Sequence, residues 1–281
     1  MIELQQSKAA QFRKLHFTDE VLITPNAWDA VSAKIYELEG FSCIATTSAG
    51  IAHALGKSDV ERMTIEENLA VVKRISNAAA VPVTADMEAC YTNDTETLKQ
   101  NVKMIIESGA VGINIEDSPG FDSSSLHDTG FQAEKIKTIR KAAGDCGLDL
   151  FINARIDAWM FLEIPKADKI SECLQRAEAY LAAGADSIFI PDLEDMDEET
   201  IAELVKGIDA PLNIIAGSST PPVQRLQELG VKRISFGPRP MRAVYSLLKK
   251  TAREIIDTGT YGLMSDSSIS YSEMNQWFKE K

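Results

Sequence analysis

Val83-Thr84-Ala85-Asp86-Met87-Glu88 is answered by Gly112-Ile113-Asn114-Ile115-Glu116-Asp117, about thirty residues on, the span of one strand–helix–strand unit. Each stretch is an apolar run of strand character that ends in carboxylates. Acidic groups are thereby delivered at strand ends, where open and closed α/β sheets place their chemistry. Neither run contains His or Cys, so converging acids here describe an oxygen-only site for a hard cation.

Working outward, runs of the same kind recur. Val21–Thr24, Cys43–Thr47, Val81–Asp86, Gly112–Glu116, Leu150–Arg155, Ser187–Pro191, Leu212–Ala216 and Arg233–Phe236 read as strands, which makes eight. Between them Ala30–Glu39, Ile65–Ala78, Thr95–Ser108, Glu134–Ala143, Ile170–Ala183, Glu198–Gly207 and Pro222–Leu229 carry apolar residues at three and four spacing, the helical period. Gly40, Gly109, Gly184 and Gly230 each follow a last helical turn and precede an apolar residue, as a C-cap leading into a strand requires. Eight strand–helix repeats close an α/β (β/α)8 barrel, with an N-terminal helix around Ile2–Leu15 and a helical extension from about Pro240.

The 281 residues, 44% of them hydrophobic, admit two ordinary domains or one barrel of about 250 residues with extensions. No Pro/Gly/Ser-rich linker divides them, so the expectation is a single barrel domain over 1–281, with 240–281 as its helical extension. Ser265–Ser270 reads as a mobile connection to a last short helix bearing Trp277 and Phe278. An apolar terminal helix outside a closed barrel needs a surface to cover, in this chain or in another subunit. A net charge of -13 argues against nucleic acid or an anionic membrane as partner. The start has no long apolar run after its charges and nowhere do eighteen apolar residues stand together, so a cytoplasmic protein without a signal peptide is expected. Cys43, Cys90, Cys146 and Cys173 form no C-x-x-C pair and read as small buried hydrophobes.

The motifs, in order, are Pro25-Asn26-Ala27-Trp28-Asp29-Ala30, Thr46-Thr47-Ser48-Ala49-Gly50, Leu55-Gly56 with Asp59, Asp86-x-Glu88, Ile115-Glu116-Asp117, Ala154-Arg155 and Ala177-Glu178-Ala179-Tyr180-x-x-Ala183-Gly184-Ala185-Asp186. Over roughly Val21 to Ile255 the chain resembles the isocitrate lyase/phosphoenolpyruvate mutase superfamily. The resemblance implies a modified (β/α)8 TIM barrel, a homo-oligomer (dimer or tetramer, usually a homotetramer) with the last barrel helix exchanged between subunits, and Mg2+, or Mn2+, as cofactor. It implies small 2-oxo or 2-hydroxy carboxylic acids as substrates, with a C–C or P–C bond made or broken beside a pyruvate-type enolate.

By position, Asp86 matches the family's direct metal ligand, and Asp59, Glu88 and Glu116 match carboxylates that hold metal-bound water. Each acid taken alone also fits helix capping or pairing with Lys or Arg. Thr47, Ser48, Ala49 and Gly50 follow a strand and open a helix, so their N–H groups are candidates for binding the substrate carboxylate. Arg155 ends an apolar strand; it is the candidate catalytic cation for the enolate or a carboxylate, with an internal salt bridge as the alternative. Asp157 is ambiguous and is given only an orienting role. Ala45 stands where many members carry Trp, which implies a differently shaped pocket.

Departures narrow the reaction. Lyases of isocitrate and methylisocitrate carry a Lys-[Lys/Arg]-Cys-Gly-His loop; after Glu116 this chain instead reads Ser118-Pro119-Gly120-Phe121-Asp122-Ser123-Ser124-Ser125-Leu126-His127-Asp128, without the Cys that moves the proton. The phosphonate branch places Lys and Asn where Asp122 and Ser124 stand here, and its His after the sixth strand is replaced at Pro191 or Asp192. The loop reads as a lid, and His127 is the candidate proton carrier, with a lid-anchoring role as its alternative. His16 and His53 read as structural. Asn213–Thr220 and Gly237-Pro238-Arg239 supply polar groups at the barrel mouth without an assigned role. The leading expectation is a Mg2+-dependent C–C lyase, or a decarboxylase or hydrolase. Alternatives are phosphonopyruvate hydrolase or phosphoenolpyruvate mutase chemistry and, in another class, a non-catalytic metabolite-binding relative.

Overall fold

A computed structural model describes residues 2–119, 125–191, 196–265 and 268–279. After α1 (Ile2–Leu15), strands and helices alternate: β1 (Leu22–Thr24), β2 (Asn26–Ala27), α2 (Ala30–Leu38), β3 (Ile44–Thr46), α3 (Ser48–Ala54), α4 (Ile65–Ala78), β4 (Val83–Asp86), α5 (Thr95–Glu107), β5 (Gly112–Glu116) and α6 (Thr129–Asp145). The alternation continues through β6 (Phe151–Arg155), α7 (Ala158–Phe161), α8 (Lys166–Ala182), β7 (Ser187–Ile190), α9 (Glu198–Gly207), β8 (Leu212–Ile215), α10 (Val223–Glu228) and β9 (Arg233–Ser235). The helices α11 (Arg239–Thr258), α12 (Gly262–Ser265) and α13 (Tyr271–Trp277) complete the chain. By internal contacts the chain divides into two compact units, Met1–Gly237 and Pro238–Lys281.

All strand pairs are parallel, in the order β1-β9-β8-β7-β6-β5-β4-β3-β2. The nine strands among the described residues are the eight expected from sequence plus β2, and Pro25 is the reason for the extra one. Proline has no N–H to give a ladder and so interrupts a strand. The halves on either side of it pair with opposite neighbours, β1 with β9 and β2 with β3, and the sheet becomes a ring. Asn26 latches the seam: its Oδ1 accepts from the N–H groups of Phe236 and Gly237 at 2.7 and 2.9 Å, and its Nδ2 donates to the Thr46 carbonyl at 2.9 Å.

Strands covered on both faces are mainly apolar, and Ile113, Ile115, Ile152, Ile188 and Ile234 are fully buried. Several polar residues inside the ring pair with one another. Asn153 Nδ2 donates to Asn114 Oδ1 at 2.8 Å, Ser187 Oγ to Asn153 Oδ1 at 2.6 Å, and Asn213 Nδ2 to Ser235 Oγ at 3.1 Å. The four expected C-cap glycines all take left-handed φ, between 90° and 104°.

Helix α1 seals the N-terminal end of the barrel. Phe12 is fully buried, its ring edge-on to Phe151 at 5.3 Å, while His16 stacks on Phe151 at 4.0 Å and its Nδ1 pairs with the Phe12 carbonyl at 2.8 Å. The rim is held by polar contacts: Gln5 donates to the carbonyls of Ile106 and Ala110, and Arg13 bridges Asp149 and Asp186. Burial and the nearby Arg233 push the His16 imidazole down to about 3, so it is neutral. In the second unit, Glu254 caps the turn after α11 by accepting from the N–H groups of Gly262 and Leu263. Val244, Leu247, Leu248, Ile255 and Ile256 of α11 are exposed. All four cysteines are free, and among the described residues no helix is long and apolar enough to cross a membrane.

Candidate functional site

The C-terminal ends of β3, β4, β5 and β6 bring Asp86, Glu88, Glu116 and Arg155 to one side of the barrel mouth, since β4, β5 and β6 are successive neighbours in register. Asp86, the last residue of β4, accepts at Oδ2 from both the N–H and the hydroxyl of Ser48, at 3.0 and 2.9 Å. Its own N–H donates to Thr46 Oγ1 at 2.9 Å. Thr47 caps α3 and accepts from the Gly50 N–H at 3.3 Å. Gly50 admits nothing larger, because a Cβ there would meet Thr47 Cγ2 at 2.5 Å. The expected carboxylate-binding turn is thus built around Asp86, with the Ser48 donors turned onto that residue.

Glu88 lies two residues past the end of β4 with φ at 51°, and Cys90 and Tyr91 follow at 62° and 58°. Left-handed backbone at three non-glycine residues is costly and needs surrounding contacts to hold it. A clasp supplies them. Glu88 Oε1 accepts from the Glu61 N–H at 2.8 Å, Glu61 Oε1 accepts from the Tyr91 N–H at 2.9 Å, and the Tyr91 hydroxyl donates to Glu88 Oε2 at 2.7 Å. Val60 and Glu61 on the opposing loop are themselves left-handed, at 70° and 51°. Lys135 Nζ donates to the Ala89 carbonyl at 2.7 Å, and Asn101 to that of Cys90 at 2.9 Å.

Burial, with Asp86 and Asp59 adding repulsion, lifts Glu88 to about 7 against the hydrogen bonds from Tyr91 and the Glu61 N–H. Asp59 is raised by burial and by Asp86, and its Oδ1 is buried without a partner among the described residues. Burial pushes Glu116 well above the usual carboxylate range despite Arg155, with Asp157, Asp86 and Glu88 pushing further. Four acids predicted from sequence therefore feel one another here. Arg155 answers two of the carboxylates: Nη1 meets Glu116 Oε2 at 2.7 Å and Nε meets Asp157 Oδ1 at 2.6 Å. It stays 21% exposed at its side chain, so it also faces the mouth.

Several residues in this assembly were not foreseen. Asp117 is fully buried; its Oδ2 accepts from Tyr180 at 2.8 Å and Arg176 at 3.0 Å, and its Oδ1 from the Asp157 N–H at 2.8 Å. It is pushed up to about 6 by burial and by Asp157. Asp157, and through it Arg155, is thus oriented from α8. The available signals were Asp117 directly after Glu116 and Tyr91 three residues after Glu88, where a turn returns a side chain to its own start. His127 is placed by backbone, its N–H donating to the Asp117 carbonyl at 2.7 Å and its carbonyl accepting from Arg176 at 3.0 Å. Its ring lies 4.9 Å from Phe131, and burial with Lys135 and Arg176 lowers its proton affinity. No hydrogen bond among the described residues joins it to the four acids. Asp122, Ser124 and Asp192 lie outside the described residues.

Among the described residues no group of three or more His, Cys, Asp and Glu is arranged to grip a metal directly. The donor set nevertheless fits a hard cation held through one carboxylate and several waters, as Mg2+ characteristically is. Asp86 stands beside Glu88 and Asp59, whose raised proton affinities and orphaned Oδ1 mark a deficit of positive charge.

Fold and site together define a (β/α)8-barrel protein with an acidic, oxygen-donor mouth that Arg155 faces. The profile of the phosphoenolpyruvate phosphomutase family matches residues 12–256, and the chain belongs to that family, within the isocitrate lyase/phosphoenolpyruvate mutase superfamily. It is similar to 2,3-dimethylmalate lyase of Eubacterium barkeri, 32% identical over 95% of this chain and 92% of that protein. It is also similar to oxaloacetate decarboxylase of Pseudomonas savastanoi pv. phaseolicola, 27% identical over 98% and 92%. A crystal structure from Burkholderia cenocepacia J2315, provisionally described as a lyase/mutase, superposes with a TM-score of 0.89 at 29% identity, covering 99% of this chain and 98% of that one.

Proposed function

We propose that the protein is a Mg2+-dependent lyase or decarboxylase that cleaves a small 2-oxo or 2-hydroxy carboxylic acid and releases a pyruvate-type enolate. The observation that carries this reading is the crowding of Asp59, Asp86, Glu88 and Glu116 against one another, with Arg155 the cation among them. Asp86 would hold the cation directly, and Asp59, Glu88 and Glu116 its waters. When bound, the divalent ion supplies a fixed positive charge facing the oxygens of the reacting acid.

The chain's own groups do the rest. Thr47, Ser48, Ala49 and Gly50 shape the wall on which the substrate carboxylate lies, with the Ser48 hydroxyl shared between it and Asp86. Arg155, aligned by Glu116 on one side and Asp157 on the other, places a guanidinium where the enolate oxygen develops charge. Loss of a carboxylate group as CO2 from a 2-oxo acid needs only that the electron pair be received as the enolate. C–C cleavage of a 2-hydroxy acid leaves the electron pair of the broken bond on the departing carboxylate fragment, which then takes up a proton, and needs a base for the hydroxyl proton as the carbonyl forms. His127, neutral by its lowered proton affinity, is the base we assign to that step. The exposed apolar side chains of α11, together with exposed Leu263, Met264, Tyr271 and Phe278, support a homo-oligomer in which a second copy covers them.

The test is proton and phosphorus NMR of the protein with Mg2+ and oxaloacetate, 2,3-dimethylmalate, methylisocitrate, isocitrate, phosphonopyruvate and phosphoenolpyruvate. Metal-dependent loss of one carboxylic acid, absent in Asp86→Ala, is the expected result. Equal turnover by that variant would sink the assignment.

A further inference from the structure

Arg233 opens β9 and points into the barrel, where it is fully buried. Its Nη2 donates to Asn114 Oδ1 at a long 3.4 Å and its guanidinium carbon lies 5.8 Å from the Phe12 ring centre. Nε and Nη1 have no partner among the described residues, and none of the ion pairs among them includes Arg233. Burying a charge without a partner is among the most unfavourable arrangements a core can contain. Packing alone does not explain it, since Met or Leu would fill the space without that penalty.

The explanation lies above it. Asn114, which takes the one hydrogen bond from Arg233, is the register partner of Asp86 across β4 and β5. Burial disfavours the charge on Arg233 and lowers its proton affinity, while Cys43 and Asp86 act in the opposite sense, favouring the charged form. The mouth gathers Asp59, Asp86, Glu88, Glu116 and Asp157 around Arg155. His16 does not add a competing charge, because its imidazole is neutral.

We propose that Arg233 is the internal counter-charge of the acidic mouth: it steadies the carboxylates from beneath and, by repulsion, weakens the divalent cation held at Asp86 so that the ion exchanges. This rests on the hard-cation reading of the site. It requires no contact between Arg233 and substrate, so Arg233 is a positioning residue that acts through Asp86.

The test is Mn2+ binding to the full-length protein, followed by the electron paramagnetic resonance of free Mn2+, for the natural chain and for Arg233→Met, Arg233→Gln and Arg233→Lys. Removing one nearby charge is expected to tighten Mn2+ binding by at least about tenfold in both neutral variants, while Arg233→Lys stays close to the natural chain. Folded neutral variants with unchanged affinity would overturn the proposal. So would neutral variants that do not fold, which would assign the charge to folding alone, or equal tightening in Arg233→Lys. A natural chain that takes up no Mn2+ would instead bring down the metal reading, and this inference with it.

Discussion

The two ends of the barrel are built on opposite terms. At the N-terminal end an aromatic plug of Phe12, His16 and Phe151 fills the ring, and the charged rim residues Arg13, Arg140, Asp149 and Asp186 are paired with one another. At the other end acids are buried beside acids, their proton affinities are raised, and five non-glycine residues take left-handed backbone. One end resolves its charges and the other keeps them in tension. A (β/α)8 scaffold permits this because its strands separate a stabilising face from a chemical one, and strain gathered at a site persists only where the rest of the fold overdetermines it.

Substitutions at each end should therefore move different observables. Phe12→Ala is expected to cost about 3–5 kcal/mol of unfolding free energy in denaturant titration, with Mn2+ affinity unchanged; a parallel loss of affinity would erase the division. Arg155→Lys keeps the charge but loses the fork that spans Glu116 and Asp157, so turnover should fall on the order of 10²-fold while the thermal midpoint moves little. Tyr91→Phe removes the hydroxyl that holds Glu88 Oε2 and should weaken divalent-cation affinity about tenfold.

The smallest effect expected is on pH. Glu88 near 7 and Asp117 near 6 lie above their unfolded values, so between the ordinary carboxylate range and neutrality the native chain binds more protons than the unfolded one. Stability without divalent cation should thus fall as pH rises through that window, by a few degrees in thermal midpoint. Added Mg2+ should flatten the slope, and its affinity should decline below pH 7. An unchanged slope with and without Mg2+ would separate these carboxylates from the cation.

Much of the scaffold was readable from local chemistry. The helices Ile2–Leu15, Ile65–Ala78 and Glu198–Gly207 begin and end where their patterns predict, and Thr64 with Glu67 shows why, since each caps the other at the start of α4. The break at Pro25 escaped the strand reading because nothing in Leu22–Ala27 says that its two halves serve opposite neighbours. Acids at strand ends were visible as residue types, but their mutual repulsion depends on depth, which periodicity does not report. The clasp between Glu61, Glu88 and Tyr91 was hidden for a different reason. Left-handed backbone is usually announced by glycine, and here Val60, Glu61, Glu88, Cys90 and Tyr91 adopt it without one. Arg176 and Tyr180 reach Asp117 across 59 and 63 residues of chain, a distance that local patterns do not span.

The seam at Pro25 also bears on how the chain is made. Strand β1 finds its partner in Arg233–Ser235, and the latch at Asn26 finds Phe236 and Gly237, 210 and 211 residues later. Contacts so far apart in sequence carry the full entropy of loop closure and form late. Until β9 has left the ribosome, the nascent chain carries two open parallel edges, at β1 and at its newest strand, and both are templates for mispairing. Closure of the ring is thus a single late event, decided by three residue pairs and one asparagine.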